Sequence, residues 1–227
     1  MESKLYTVLI VDDHPLITDA YKSALKYIEE LDKSLFFDIY EVHNCDDAYN
    51  KIGDVLSKNK EIELIFLDIS LPPTKDGKII SGEDLGLKIK EVMPKSKVIV
   101  STTLNDNYRI RSIFKSLNPH GFLIKNDINP KELVTAIKAV IFDPPYYSKT
   151  VVKLLRNEVS SDFTLDFVDR KILHELSIGT MMKDLPSVIL LSLPALEKRK
   201  RRLKELFETI DYSDKELLKS ARDKGFI

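Results

Sequence analysis

Three apolar runs in this chain each stop at a charged side chain, and that punctuation limits the fold more than any other feature. Leu9-Ile10-Val11 leads into Asp12-Asp13, Leu64-Ile65-Phe66-Leu67 into Asp68, and Phe122-Leu123-Ile124 into Lys125. Short buried runs alternating with helical segments predict a parallel α/β sheet. In such sheets the strand ends open onto one crevice, where ligands bind. Three carboxylates and an ammonium therefore converge there. Crowded carboxylates repel, so a cation belongs among them. Mg²⁺, a hard dication held by one or two carboxylates and several waters, is the expected one.

Strands are predicted near Leu5–Val11, Phe37–Val42, Leu64–Leu67, Val98–Ser101 and Gly121–Ile124. Helices fall at Pro15–Glu30, Asp46–Ser57, Gly82–Val92, Asn107–Leu117 and Pro130–Phe142. Pro15 and Pro130 suit a first helical turn, where the missing N–H costs nothing. Asn129 and Asp46 suit the N-cap position. The pattern is a doubly wound (βα)₅ domain of flavodoxin-like order. Asp143-Pro144-Pro145 ends its last helix. Beyond that break only helical patterns remain: Lys149–Glu158, Asp166–Ser177, a shorter segment from Asp184, Pro194–Ile210 and Asp214–Lys224. The expected organisation is a first domain over 1–142, a linker with a short helix over 143–162, and a small all-α domain over 163–227.

A chain of 227 residues is comfortable for two such domains. With 43% apolar and 31% charged residues, both halves have enough apolar material for a core. Charge is unevenly spread. Residues 148–227 carry 16 Lys+Arg against 13 Asp+Glu, whereas residues 1–147 carry 19 against 23. A mildly basic second part fits an anionic partner. The single cysteine, Cys45, excludes an internal disulfide and suits a buried thiol in a reducing compartment. No apolar run reaches membrane-spanning length and MESKLYTVLIVDD lacks signal-peptide order, so a cytoplasmic protein with no membrane partner is expected.

One Asp at a strand end usually caps a helix. Three at converging ends beside a Lys suit phosphoryl transfer onto a carboxylate: one Asp is the nucleophile, Mg²⁺ neutralises phosphoryl oxygens and the Lys pairs with another oxygen. Thr102 adds a hydroxyl at the fourth strand end. A haloacid-dehalogenase-like phosphatase would need a second Asp two residues after its nucleophile. Ser70 and His14 stand at that spacing instead, so an enzyme is not expected.

VLIVDDHP, LIFLDISLP, KVIVSTT and GFLIKND resemble the acidic pair, phosphoacceptor, switch hydroxyl and Lys motifs of two-component response-regulator receiver domains. The resemblance covers about residues 5–142, and Asp-Asp-His-Pro is the form typical of the LuxR/FixJ-type subgroup. It implies that Asp68 accepts phosphate from a sensor histidine kinase. It also implies that Asp13, Asp68 and the Ser70 backbone carbonyl bind Mg²⁺, with Asp12 acting through water. Thr102 would turn toward the phosphoryl group, Lys125 would pair with it, and Phe122 holds the position of the aromatic that swings inward on activation. His14 is expected to be a surface or loop residue. The stretch 73–81 is an insertion before Gly82, a surface loop or a gate to the site.

Ser192-Leu193-Pro194-Ala195-Leu196-Glu197 leads into the cation run Lys198–Arg202, with basic residues at 199 and 200 where a surface helix would keep an apolar one. That predicts a helix whose first half leaves the protein for a DNA major groove. Phe163–Phe207 resembles a LuxR-type helix-turn-helix, with Gly179 in the first turn, a scaffold helix over Leu185–Leu191 capped by Asp184, and a recognition helix over Ser192–Phe207. The resemblance makes Glu197, Lys198 and Arg201 the base-edge candidates. Lys200, Arg202 and Lys204 are the phosphate candidates, with Ser192 at the helix start. Double-stranded DNA and a homodimer formed on activation are the implied partners. The alternative is a degenerate helix-turn-helix that binds a protein instead, for which the scaffold helix shortened at Pro186 is the motive, and Glu197, where a cation is usual, either accepts from a cytosine amine or repels phosphate.

Overall fold

The computed structural model describes residues 3–103, 107–156, 165–209 and 213–227. The chain divides into two compact units, one formed by 1–103 with 117–158 and the other by 104–116 with 159–227.

The first unit is built on a parallel sheet of order β2-β1-β3-β4-β5-β6. Its strands are β1 (Lys4–Val11), β2 (Leu35–Val42), β3 (Leu64–Asp68), β4 (Lys97–Thr102), β5 (Gly121–Ile124) and β6 (Tyr146–Tyr147). The central strands are apolar on both faces because helices cover both: Val8 to Val11 and Leu64 to Asp68 are buried without a break. The helices of this unit are α1 (Pro15–Leu31), α2 (Cys45–Ser57), α3 (Gly82–Val92), α5 (Pro130–Phe142) and α6 (Lys149–Arg156). Helix α4 (Asn107–Leu117) joins β4 to β5 in the sequence, and all but its last residue groups with the second unit.

This is the expected doubly wound fold, with differences of detail. The N-cap of α2 is Asn44, whose side chain accepts from the Asp47 N–H, and Asp46 lies inside the helix. The linker stretch contributes a sixth strand, because Tyr146 and Tyr147 pair with Gly121 and Phe122 along the open edge of β5. Cys45 is buried, and burial pushes its thiol pKa up to about 12, so it stays a protonated packing residue. The expected end of the linker helix at Glu158 and the boundary at 162–163 lie outside the described residues.

The second unit has a core of its own, which includes Leu165, Ile172, Leu173, Leu185, Leu196, Leu203, Phe207, Leu217 and Phe226. Its C-terminal helices are α7 (Phe167–Ser177), α8 (Leu185–Val188), α9 (Leu193–Leu206) and α10 (Asp214–Asp223). Helix α7 opens with a reciprocal capping box between Asp166 and Asp169. Gly179 follows it at φ +95, a conformation other residues rarely adopt. Helix α8 is a single turn and not the scaffold helix expected to reach Leu191. Ile189 is already extended, and Asp184 holds the N-cap position without a side-chain bond. Ile210, the expected end of α9, lies outside the described residues. No described helix is long and apolar enough to cross a membrane.

Candidate functional site

The sheet order makes β1 and β3 the switch point, where the chain turns outward to β2 and then returns. A ligand crevice forms beyond the carboxyl ends of those two strands. Register does the rest. Val11 pairs with Leu67, so Asp12 and Asp68 emerge side by side. Asp68 pairs with Ser101 and Thr102 with Ile124, which brings Thr102 and Lys125 to the same end. The strand-end groups named from the sequence therefore share one end of the sheet.

Asp12, Asp68, Thr102 and Lys125 are buried, whereas Asp13 is 40% exposed at the mouth. Lys125 Nζ donates to Asp68 Oδ2 at 2.8 Å and to Asp12 Oδ1 at 3.0 Å. The other Asp12 oxygen, Oδ2, also lies 2.8 Å from this ammonium, so the lysine pairs with both oxygens of Asp12 as well as with Asp68. Burial raises the Asp68 pKa, opposed by Lys125 and by the Ser70 N–H, which donates to Oδ1 at 3.0 Å. Burial alone would lower the Lys125 pKa, but the bonds to Asp12 and Asp68 outweigh it and the ammonium is held charged.

Two supports underlie this pocket. Tyr21 stacks on Phe66 and donates to the Ser101 hydroxyl at 2.6 Å, just beneath Thr102 on β4. Gly82, at the start of α3, passes so close to β3 that a Cβ there would overlap the Asp68 carbonyl oxygen. The 73–81 stretch is a knitted loop: Thr74 Oγ1 donates to Asp76 and accepts from the Ile79 N–H, and the Lys75 N–H reaches Asp46. Phe122 is fully buried on β5.

His14 is exposed in the loop before α1, as expected, and its Nδ1 lies 2.7 Å from Asp13 Oδ1 and 3.2 Å from Asp12 Oδ1, pairing with the carboxylates at the rim. Asp12, Asp13 and Asp68 cluster closely enough to hold a metal ion, and their carboxylate oxygens are the hard donors that suit Mg²⁺.

The α9 surface sorts differently from its sequence. Arg199 turns inward to Asp166 at 2.6 Å and to Asp169 at 2.8 Å. Lys200 and Lys204 both pair with Asp214, at 3.0 and 2.6 Å. The basic residues at 199 and 200 thus stand where apolar contacts were absent and pair with acids of neighbouring segments, leaving the other side of the helix exposed. Ser192, Glu197, Lys198, Arg201 and Arg202 are exposed. Arg202 lies 3.9 Å from Asp169, whereas Lys198 and Arg201 have no ion pair among the described residues.

A flavodoxin-order sheet with an acidic, lysine-bridged crevice at its switch point defines the class, that of a receiver module. Residues 8–138 match the response regulator receiver domain model, more than half of the chain, and the chain belongs to that family. The transcriptional regulatory protein MctR of Rhizobium johnstonii is 24% identical over 201 residues, covering 87% of this chain and 85% of that protein. RcsB of Salmonella enterica serovar Typhimurium, solved on the rprA promoter, superposes with a TM-score of 0.66 at 20% identity, over 96% of this chain and 98% of that one. Another RcsB structure, from Salmonella typhimurium, gives 0.56 at 21% identity over 98% and 100%.

Proposed function

We propose that this chain is a two-component response regulator whose Asp68 accepts a phosphoryl group from a sensor histidine kinase and thereby controls DNA binding by a C-terminal helix-turn-helix. The observation that carries the reading is the buried Asp68–Lys125–Asp12 bridge at the switch point. An Asp68 oxygen attacks phosphorus, the P–N bond of the donor phosphohistidine breaks, and its electron pair leaves with the imidazole, which takes up a proton. The ammonium of Lys125 favours the ionised form of Asp68 against the burial that opposes it and then pairs with the new phosphoryl oxygens. A Mg²⁺ ion held by Asp13, Asp68 and the Ser70 carbonyl, with Asp12 acting through water, would supply charge neutralisation.

The Thr102 hydroxyl then turns to the phosphoryl group, and Phe122 holds the position of the aromatic that swings inward on activation. Differential contacts of this kind bias a two-state element. The domain bounds proposed are 1–142 for the receiver, 143–162 for the linker and 163–227 for the output domain. Glu197, Lys198 and Arg201 form the exposed face of α9 for base edges. Arg202 and Ser192 serve the phosphate backbone, while Lys200 and Lys204 act there only by leaving Asp214. Support for DNA and a homodimer comes from RcsB, solved as two dimers on two parallel DNAs.

The test is labelling with a small phosphodonor. Asp68→Asn should abolish Mg²⁺-dependent incorporation, and unchanged incorporation would overturn the reading. A second reading, an output domain that binds a protein, is favoured by one observation. Leu190 is 95% exposed beside the exposed Val188 and Leu191, in the turn that precedes α9. Leu190→Ser leaving DNA affinity intact while abolishing regulation would decide for it.

A further inference from the structure

The turn that carries Lys125 is gripped on both sides by the linker. Residues Lys125–Asp127 form one 3₁₀ turn after β5. Just before it, the Ile124 N–H donates to Ser148 Oγ at 3.2 Å, and the Phe122 carbonyl accepts from the Ser148 N–H at 2.9 Å. At its end, Asp127 Oδ2 accepts from Ser148 Oγ at 2.8 Å and from the Thr150 N–H at 2.9 Å. Asp127 Oδ1 accepts from Thr150 Oγ1 at 2.8 Å. The buried Ser148 hydroxyl thus gives its proton to one side of the turn and a lone pair to the other. Thr150 lies in the first turn of α6, where N–H groups have no partner within the helix. Asp127 therefore caps α6 from outside it, as a carboxylate at the positive end of a helix. Burial would raise the Asp127 pKa, but the Thr150 and Ser148 bonds outweigh it and hold the carboxyl below its usual range.

We propose that Asp127 is a positioning residue that couples the phosphorylation state of Asp68 to the linker helix α6. The inference rests on the receiver reading and concerns how its signal leaves the site. Lys125 Nζ holds Asp68 and Asp12 in this structure. A phosphoryl group on Asp68 places new anionic oxygens beyond the carboxylate, and the ammonium shifts to pair with them. The Lys125 backbone lies between two anchored residues, Ile124 and Asp127, so the turn passes that shift to Ser148 and Thr150. The cap on α6 then differs between the two states, and contacts that differ between states are what bias an equilibrium. From α6 the chain runs on toward the proposed output domain, so the cap lies on the covalent route out of the site. It uses neither Thr102 nor the Phe122 ring.

The test is hydrogen exchange of the full chain, read by mass spectrometry over residues 149–156, with and without a small phosphodonor and Mg²⁺. Wild type should show a phosphodonor-dependent change in α6 exchange of about threefold or more. In Asp127→Ala, α6 should exchange about fivefold faster than in wild type, as a lost cap implies, and the phosphodonor should no longer alter it. Asp68 labelling should stay within about twofold of wild type, because Asp12 still holds Lys125. Thr150→Val keeps the carboxylate and the turn and deletes only the Oγ1 bond, so it decides the matter if Asp127→Ala fails to fold. Its phosphodonor response should fall by about half. A merely structural cap would change the level of exchange and keep the full phosphodonor response in both variants, which overturns the proposal. A labelled wild type whose α6 does not respond overturns it equally. A wild type that takes up no label fails the receiver reading instead, and the coupling falls with it.

Discussion

Lys125 Nζ and Asp68 Oδ2 lie 2.8 Å apart in a buried contact between residues 57 positions apart in the chain. The same ammonium also holds Asp12, so Lys125→Met would leave two buried carboxylates without their cation. Removing one member of a buried pair costs about 3–5 kcal/mol, which sets the expected loss in urea unfolding without metal. Adding MgCl₂ should restore part of it, roughly 2.7 kcal/mol at a hundredfold excess over the dissociation constant. A variant as stable as wild type, or one indifferent to Mg²⁺, would contradict the bridge.

Proton linkage gives a test of opposite sign. Burial raises the Asp68 pKa above its unfolded value, so the folded protein binds the extra proton. Its ionisation therefore costs stability: the penalty is absent below about pH 4, the unfolded carboxylate range, and grows as pH rises through the folded pKa. Asp68→Asn removes the penalty while Asp12 still holds Lys125. The variant should gain on metal-free wild type as pH climbs from 4 toward 7, measured as the difference in urea midpoints. A difference that is flat with pH would show that Asp68 is not raised. For the same reason Mg²⁺ affinity in wild type should begin to fall at a higher pH than an exposed carboxylate would give.

Two glycines separate a close approach from an ordinary helical position. Gly82→Ala would drive a methyl group into the Asp68 carbonyl, displacing the end of β3 at a cost of about 1–3 kcal/mol. Phosphoryl acceptance should fall by more than that stability loss explains, because the displaced atoms carry the acceptor. Gly53, inside α2, has nothing within 4 Å of the position a Cβ would take, so Gly53→Ala should stabilise by about 0.5–1 kcal/mol. Thermal melts and phosphodonor labelling of the two variants make the comparison.

The first domain was legible because its information lies in hydrophobic runs and in what ends them. A buried parallel strand must be apolar throughout, so Leu64–Leu67 and Asp68 announced both the strand and the site. What escaped was the direction of side chains. The exposed His14 pairs with Asp13 and Asp12, a contact that its place in a loop does not announce. Asp143-Pro144-Pro145 signals only the end of a helix, and nothing local announces that Tyr146 will extend the sheet. In the second unit the cation run hid two populations. Arg199 and Lys200 are bound to acids over a dozen residues away, which no spacing rule within the helix reveals.

That division of the α9 cations can be tested residue by residue. Arg199→Ala uncovers Asp169, which is buried and has a pKa raised by that burial, so a stability loss of about 2 kcal/mol is expected. Lys200→Ala and Lys204→Ala lose ion pairs to a half-exposed Asp214, worth less than about 1 kcal/mol each. Lys198→Ala and Arg201→Ala, whose side chains are exposed, should leave unfolding unchanged and weaken DNA binding. Where the lost contact is to a phosphate, the slope of log affinity against log salt should shrink by about 0.9. Where it is to a base edge, the cost should be about 1–3 kcal/mol at one position of the site, with the salt slope kept. Chemical denaturation and salt-series binding to selected DNA distinguish these cases. Full DNA affinity in a Lys198→Ala, Arg201→Ala double variant would remove α9 as the reading surface and favour the protein-binding alternative through Leu190.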